Sequence, residues 1–115
     1  MYIESIDRSA AYVAAKSALD VVQKITGGWP NEVAEPAKRC AQNMLASIAE
    51  ALEHGETTAS RRRCLRGALL NAIELAAICD IARAHGLGTD VSLQCTARTL
   101  SLLGMSYQAT SVADD

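Results

Sequence analysis

The stretch Leu65-Arg66-Gly67-Ala68-Leu69-Leu70-Asn71-Ala72-Ile73-Glu74-Leu75-Ala76-Ala77-Ile78-Cys79-Asp80-Ile81-Ala82 decides the fold. Leu65, Ala68, Leu69, Ala72, Leu75, Ala76, Cys79 and Ala82 recur in steps of three and four, which lines one face of an α-helix. Leu70, Ile73, Ile78 and Ile81 add a second apolar flank. A helix apolar on two sides needs cover on two sides. It is therefore expected to pack into a bundle and to present Leu70, Ile73, Ile78 and Ile81 as a subunit interface.

Glycine and proline mark the ends of the neighbouring segments. Gly27-Gly28-Trp29-Pro30-Asn31 is one break, Gly55 a second, and Gly86 with Gly88 a third. Glycine suits the left-handed residue that follows a helix. The reading is four helices, over about 4–26, 35–54, 58–85 and 90–107, with a frayed tail at 108–115. The first carries Ile6, Ala10, Val13, Ala14, Ala18, Val21, Val22 and Ile25 on one face. The second carries Ala37, Cys40, Ala41, Met44, Ile48, Ala51 and Leu52, with Pro36 in its first turn, where a missing N–H costs nothing. Thr57 is the expected N-cap of the third. The fourth carries Leu93, Ala97, Leu100, Leu103 and Tyr107. Short connections make neighbours antiparallel, so the expected architecture is an all-α, up-down-up-down four-helix bundle in a single domain, 1–115.

Composition agrees. The 115 residues are half apolar, with one Trp, three Tyr and no Phe, and alanine, the best helix former, is abundant. The net charge of −2 argues against a strongly basic polyanion binder while leaving room for a local basic patch. No apolar run reaches the length of a membrane span. The polar start, with Glu4 and Asp7, does not read as a secretory signal, so a cytosolic location is expected. Cys40, Cys64, Cys79 and Cys95 form no CxxC pair and read as small apolar residues in a reducing compartment.

Six segments in order carry a wider resemblance: Thr26-Gly27-Gly28-Trp29-Pro30, Lys38-Arg39-Cys40-Ala41, Ser47-Ile48-Ala49-Glu50, Arg63-Cys64-Leu65-Arg66-Gly67-Ala68-Leu69, Ile73-Glu74-Leu75, and Ile81-Ala82-Arg83-Ala84-His85-Gly86-Leu87. Together they resemble the bacterial four-helix-bundle family that includes the 23S ribosomal RNA intervening-sequence proteins and the accessory variability determinant of diversity-generating retroelements. The resemblance covers roughly Ala10 to Gly104. It implies a cytosolic bundle assembling as a cyclic homopentamer, without enzymatic activity. Basic members associate with nucleic acid and a reverse transcriptase. The chain departs from the family where Asn-Ile-Ala-Glu-Gly becomes Ser47-Ile48-Ala49-Glu50-Ala51. It departs again where large apolar residues give way to Arg61, Cys64 and Gly67.

A di-iron bundle needs Glu-x-x-His pairs, and neither His54 nor His85 has a Glu three residues earlier. Glu50 and His54, four apart, read as a helix-end ion pair, and no metal or other cofactor is expected. Both histidines fall at helix ends, away from any Ser or Cys nucleophile, and Gly27-Gly28 precedes Trp29-Pro30 where a phosphate loop needs Lys-Ser, so no catalytic residues are expected.

Arg61-Arg62-Arg63 with Arg66 is the one basic run, a phosphate-binding or partner patch if repeated around a ring. If the second and third helices fold back about Gly55, facing residue numbers total about 111. That sets Glu50 opposite Arg61, and Arg39 or Lys38 opposite Glu74, as structural polar pairs that resolve buried charge. Trp29 either plugs the bundle end or covers a subunit contact. The functional expectation is a homo-oligomeric scaffold for an unidentified protein partner. The alternative is a nucleic-acid accessory protein using the arginine patch, disfavoured by the net charge.

Overall fold

The structure, a computed structural model, describes residues 9–54 and 58–88 together with Thr99 and Leu102. The described chain is all-helical: α1 (Ala10–Ile25), a 3-10 turn (Thr26–Gly28), α2 (Asn31–Ala51) and α3 (Ala59–Ala84). The expected fourth helix lies outside the described residues except for Thr99 and Leu102, both helical. Thr99 is fully buried, and Leu102 packs against the core.

Each helix begins where a side chain or a proline fixes its first turn. The Ser9 hydroxyl accepts from the Tyr12 N–H at 3.3 Å and starts α1. Pro30, with φ −58°, stands before α2, and its carbonyl accepts from the N–H groups of Val33 and Ala34 at 3.0 and 2.9 Å. The helix therefore starts four residues earlier than the sequence suggested. Pro36 falls in the second turn, where it withholds an N–H from the Glu32 carbonyl. The N-cap of α3 is Thr58 rather than Thr57, and the Thr58 hydroxyl accepts from Arg61 N–H at 3.1 Å. Two adjacent threonines offer the same chemistry, and only the helix phase decides between them.

The helix ends are equally specific. At the end of α1 the buried Thr26 hydroxyl donates back to the Val22 carbonyl at 2.6 Å. Gly86, with φ +78°, closes α3. Its N–H donates to the Arg83 carbonyl at 2.9 Å, and the Leu87 N–H reaches the Ala82 carbonyl at 3.0 Å. This paired arrangement satisfies the last carbonyls and tucks Leu87 onto the core.

α2 is the middle helix. It packs against α3 along most of its length and against α1 over less, while α1 and α3 have little direct contact. Its buried face, Ala34, Ala37, Cys40, Ala41, Met44, Ile48 and Ala51, follows the expected stripe. So does that of α3: Leu65, Ala68, Ala72, Leu75, Cys79 and Ala82. On α1 the buried set is Ala11, Ala14, Ala15, Ala18 and Val22, while Val13 is half exposed. The expected face is thus rotated by about one residue. Paired alanines at 10–11 and 14–15 leave the pattern nearly symmetric, and packing buries Ala11 in place of Ala10 and adds Ala15 to the expected Ala14. Trp29 belongs to the core cluster, so it seals this chain's own interior.

The α2–α3 register differs from expectation by three. Cys40 meets Glu74, Glu50 lies beside Cys64, and Ser47 faces Gly67, so facing numbers total 114. A helix turns an inward residue only every three or four positions. The phase of the two apolar stripes therefore sets the register, not the midpoint of the loop.

Candidate functional site

Chemically distinctive side chains gather where α2 ends and α3 begins. The chain leaves α2 through a turn in which the Glu53 and His54 N–H groups donate to the Glu50 and Ala51 carbonyls, both at 3.1 Å. Arg61 Nη1 then donates to the His54 carbonyl at 3.2 Å and ties the start of α3 to that turn. The expected Glu50–Arg61 ion pair does not form. The three-residue register shift carries Arg61 past Glu50 to the helix-end carbonyl, where a cation is equally well placed.

The same shift brings Cys64 against Glu50. Glu50, His54 and Cys64 each offer a ligand-type atom, and these atoms lie within 4.8 Å of one another. Glu50 is exposed, and the other two are partly buried. Burial pushes the Cys64 thiol up from its ordinary value, the Glu50 carboxylate adds to that, and the Arg63 charge opposes it. The expected Glu50–His54 ion pair does not form. Sequence spacing showed Glu50 and His54 together, but Cys64 joins them only through the helix register.

The arginine run divides. Arg61 and Arg62 are partly buried, and Arg63 and Arg66 are exposed. Arg63 Nη2 donates to the Ser60 hydroxyl at 3.3 Å. The run is therefore partly used in holding its own helix rather than standing as one open patch.

Further along the hairpin, the Cys40 thiol donates to Glu74 Oε2 at 3.2 Å. Glu74 is exposed, and it does not pair with Arg39, which is also exposed. Correcting the register by three removes Arg39 from Glu74 and puts a buried thiol in its place. The Cys40 thiol is pushed up to about 11, first by burial and then by the hydrogen bond and negative charge of Glu74. Cys40 and Cys79 are buried as expected, Cys64 is only partly so, and Cys95 lies outside the described residues.

The outer face of α3 is apolar. Leu70, Ile73 and Ile81 are 57, 55 and 52% exposed, and Ala77 and Ala84 on the same side are exposed too. Ile78, expected in this interface, instead packs against the chain's own core. It stands one position from buried Cys79, on the boundary between the two faces.

Among the described residues no helix is long and apolar enough to cross a membrane. No protein-family model matches the chain, and no curated protein or solved structure matches it either.

Proposed function

We propose that this chain is a non-enzymatic scaffold that assembles with copies of itself through the outer face of α3. The observation that carries the reading is the row Leu70, Ile73, Ala77, Ile81 and Ala84, exposed along one side of a helix whose other side is already buried. Large apolar side chains aligned in this way mark an interface far more often than they stand free in water. In this reading the expected fourth helix, over about 90–107, completes a four-helix bundle, and the copies form a ring. Five copies follow from the resemblance to the intervening-sequence family, and the apolar row supports association without fixing a number. The reading places the protein in the cytosol, where Cys40, Cys64 and Cys79 stay reduced.

A second reading draws on the exposed Arg63 and Arg66, which extend the same outer face toward the start of α3. Repeated around a ring, they would supply phosphate contacts to a nucleic acid. Arg63 is already engaged with Ser60, and this supports the scaffold reading over the second one. Native mass spectrometry of protein purified at low salt tests both. A homopentamer free of nucleic acid is the expected result, co-purified nucleic acid would favour the second reading, and a monomer would overturn the scaffold.

A further inference from the structure

Glu50, His54 and Cys64 come from two helices, yet their carboxylate, imidazole and thiol atoms lie within 4.8 Å of one another. Imidazole nitrogen, thiolate sulfur and carboxylate oxygen are together the donor set of zinc and its neighbours, whereas magnesium and calcium take oxygen alone. Donors around a tetrahedral zinc ion stand about 3.5 Å apart, so these three need to close by only ~1 Å.

Three further features favour an ion there. No side-chain hydrogen bond or ion pair engages any of the three groups among the described residues, and Cys64 is a free thiol. The backbone that carries them is pinned, with the His54 carbonyl held by Arg61 at 3.2 Å and the start of α3 capped by Thr58 at 3.1 Å. The charge also balances. An ionised Glu50 and a Cys64 thiolate together neutralise a divalent cation, and neutral His54 adds a lone pair.

We propose that Glu50, His54 and Cys64 form a binding site for a zinc-class divalent ion, with the fourth coordination position open to water. On binding, the Cys64 S–H bond breaks, the proton leaves to solvent and a sulfur–metal bond forms. Glu50 and His54 donate lone pairs, and nothing is oxidised or reduced. The ion would staple the end of α2 to the second turn of α3.

Cobalt(II) titration of the full-length chain, kept reduced with a phosphine, reads the site directly. The expected result is one ion per chain, with a thiolate-to-cobalt charge-transfer band in the near ultraviolet that zinc(II) bleaches. Cys64→Ser should abolish the band. Glu50→Gln and His54→Gln should each weaken zinc binding by at least the ~10-fold that loss of a single supporting contact costs at such sites. His85→Ala, at the far end of α3, should leave it unchanged. Circular dichroism confirms that each variant is folded, and Glu50 is exposed, so Glu50→Gln reads the site with little disturbance to packing. A band that persists in Cys64→Ser, or equal zinc uptake by the Glu50→Gln, His54→Gln, Cys64→Ser triple variant, would overturn the proposal.

Discussion

The Cys40 thiol donates a hydrogen bond to the Glu74 carboxylate at 3.2 Å, joining a buried residue of α2 to an exposed one of α3. The contact keeps the thiol neutral, because burial and the adjacent negative charge both oppose ionisation. In the unfolded chain the group titrates at its ordinary value of 9.0, and in the folded chain at about 11. Between these values the unfolded state has lost a proton that the folded state keeps. Stability should therefore hold through neutral pH, fall as pH rises above 9.0, and level off near 11. Urea melts across that range, compared with Cys40→Ala, would show the slope in the parent and its loss in the variant. An identical slope in both would assign it elsewhere.

Removing the acceptor tests the same contact from the other side. Glu74→Ala leaves a buried thiol without its partner, at a cost of about 1 kcal/mol. A carboxylate buried against Arg39 would have cost ~3–5 kcal/mol on loss of one partner. Exposed Glu53→Ala is the control, and a thermal melt that ranks Glu53→Ala as the more damaging would contradict the assignment.

Gly67 inside α3 and Gly86 just beyond its end should respond in opposite directions. A Cβ on Gly67 would meet only the Ser47 hydroxyl oxygen at 3.8 Å, an ordinary contact, and Gly67 lies inside a helix. Gly67→Ala should stabilise the fold by about 0.5–1 kcal/mol. Gly86 sits at φ +78°, where an L side chain is strained. Gly86→Ala should destabilise it by ~1 kcal/mol. Differential scanning calorimetry of the pair would show Tm moving up for the first and down for the second.

Loss of the Thr58 hydroxyl leaves the Arg61 N–H without its acceptor. Thr58→Ala should cost about 1 kcal/mol, and Thr58→Ser should recover most of it. If chemical denaturation places both variants level with the parent, the cap contributes nothing.

Ile73 and Leu75 are two residues apart on α3 and should fail differently. Leu75 is fully buried, and Leu75→Ala should cost about 2–5 kcal/mol of fold stability. Ile73 is 55% exposed, so Ile73→Glu should leave the helical signal intact while lowering the mass of the assembly. Light scattering coupled to size-exclusion chromatography separates the two effects, and an unchanged mass for Ile73→Glu would remove this face from the interface.

Helix identity and the buried stripes of α2 and α3 were legible because apolar periodicity records burial directly. Leu65, Ala68, Ala72, Leu75, Cys79 and Ala82 needed no other information. The face of α1 was less legible, since neighbouring alanines are interchangeable to a periodicity and only packing ranks them. The polar contacts were least legible. A three-residue error in register, small beside a helix of this length, exchanged Arg39 for Cys40 and hid Cys64 from Glu50 and His54. Which residues meet across a hairpin depends on the joint phase of two helices, and neither segment states that phase alone. The exposure of Leu70, Ile73 and Ile81 was legible as a surplus of apolar residues. Ile78 was not separable from them, because one position decides its side.

The alanines at the centre of the molecule set its evolutionary latitude. Ala15, Ala18, Ala41, Ala68, Ala72 and Ala82 have no exposed surface. Most protein interiors are injured by truncation, and here the small residues cannot be truncated further except to glycine. Enlargement is the damaging direction, since an added methylene has to be accommodated by separating the helices. Drift at these positions is therefore confined to a narrow alphabet of Ala, Gly, Ser and Cys.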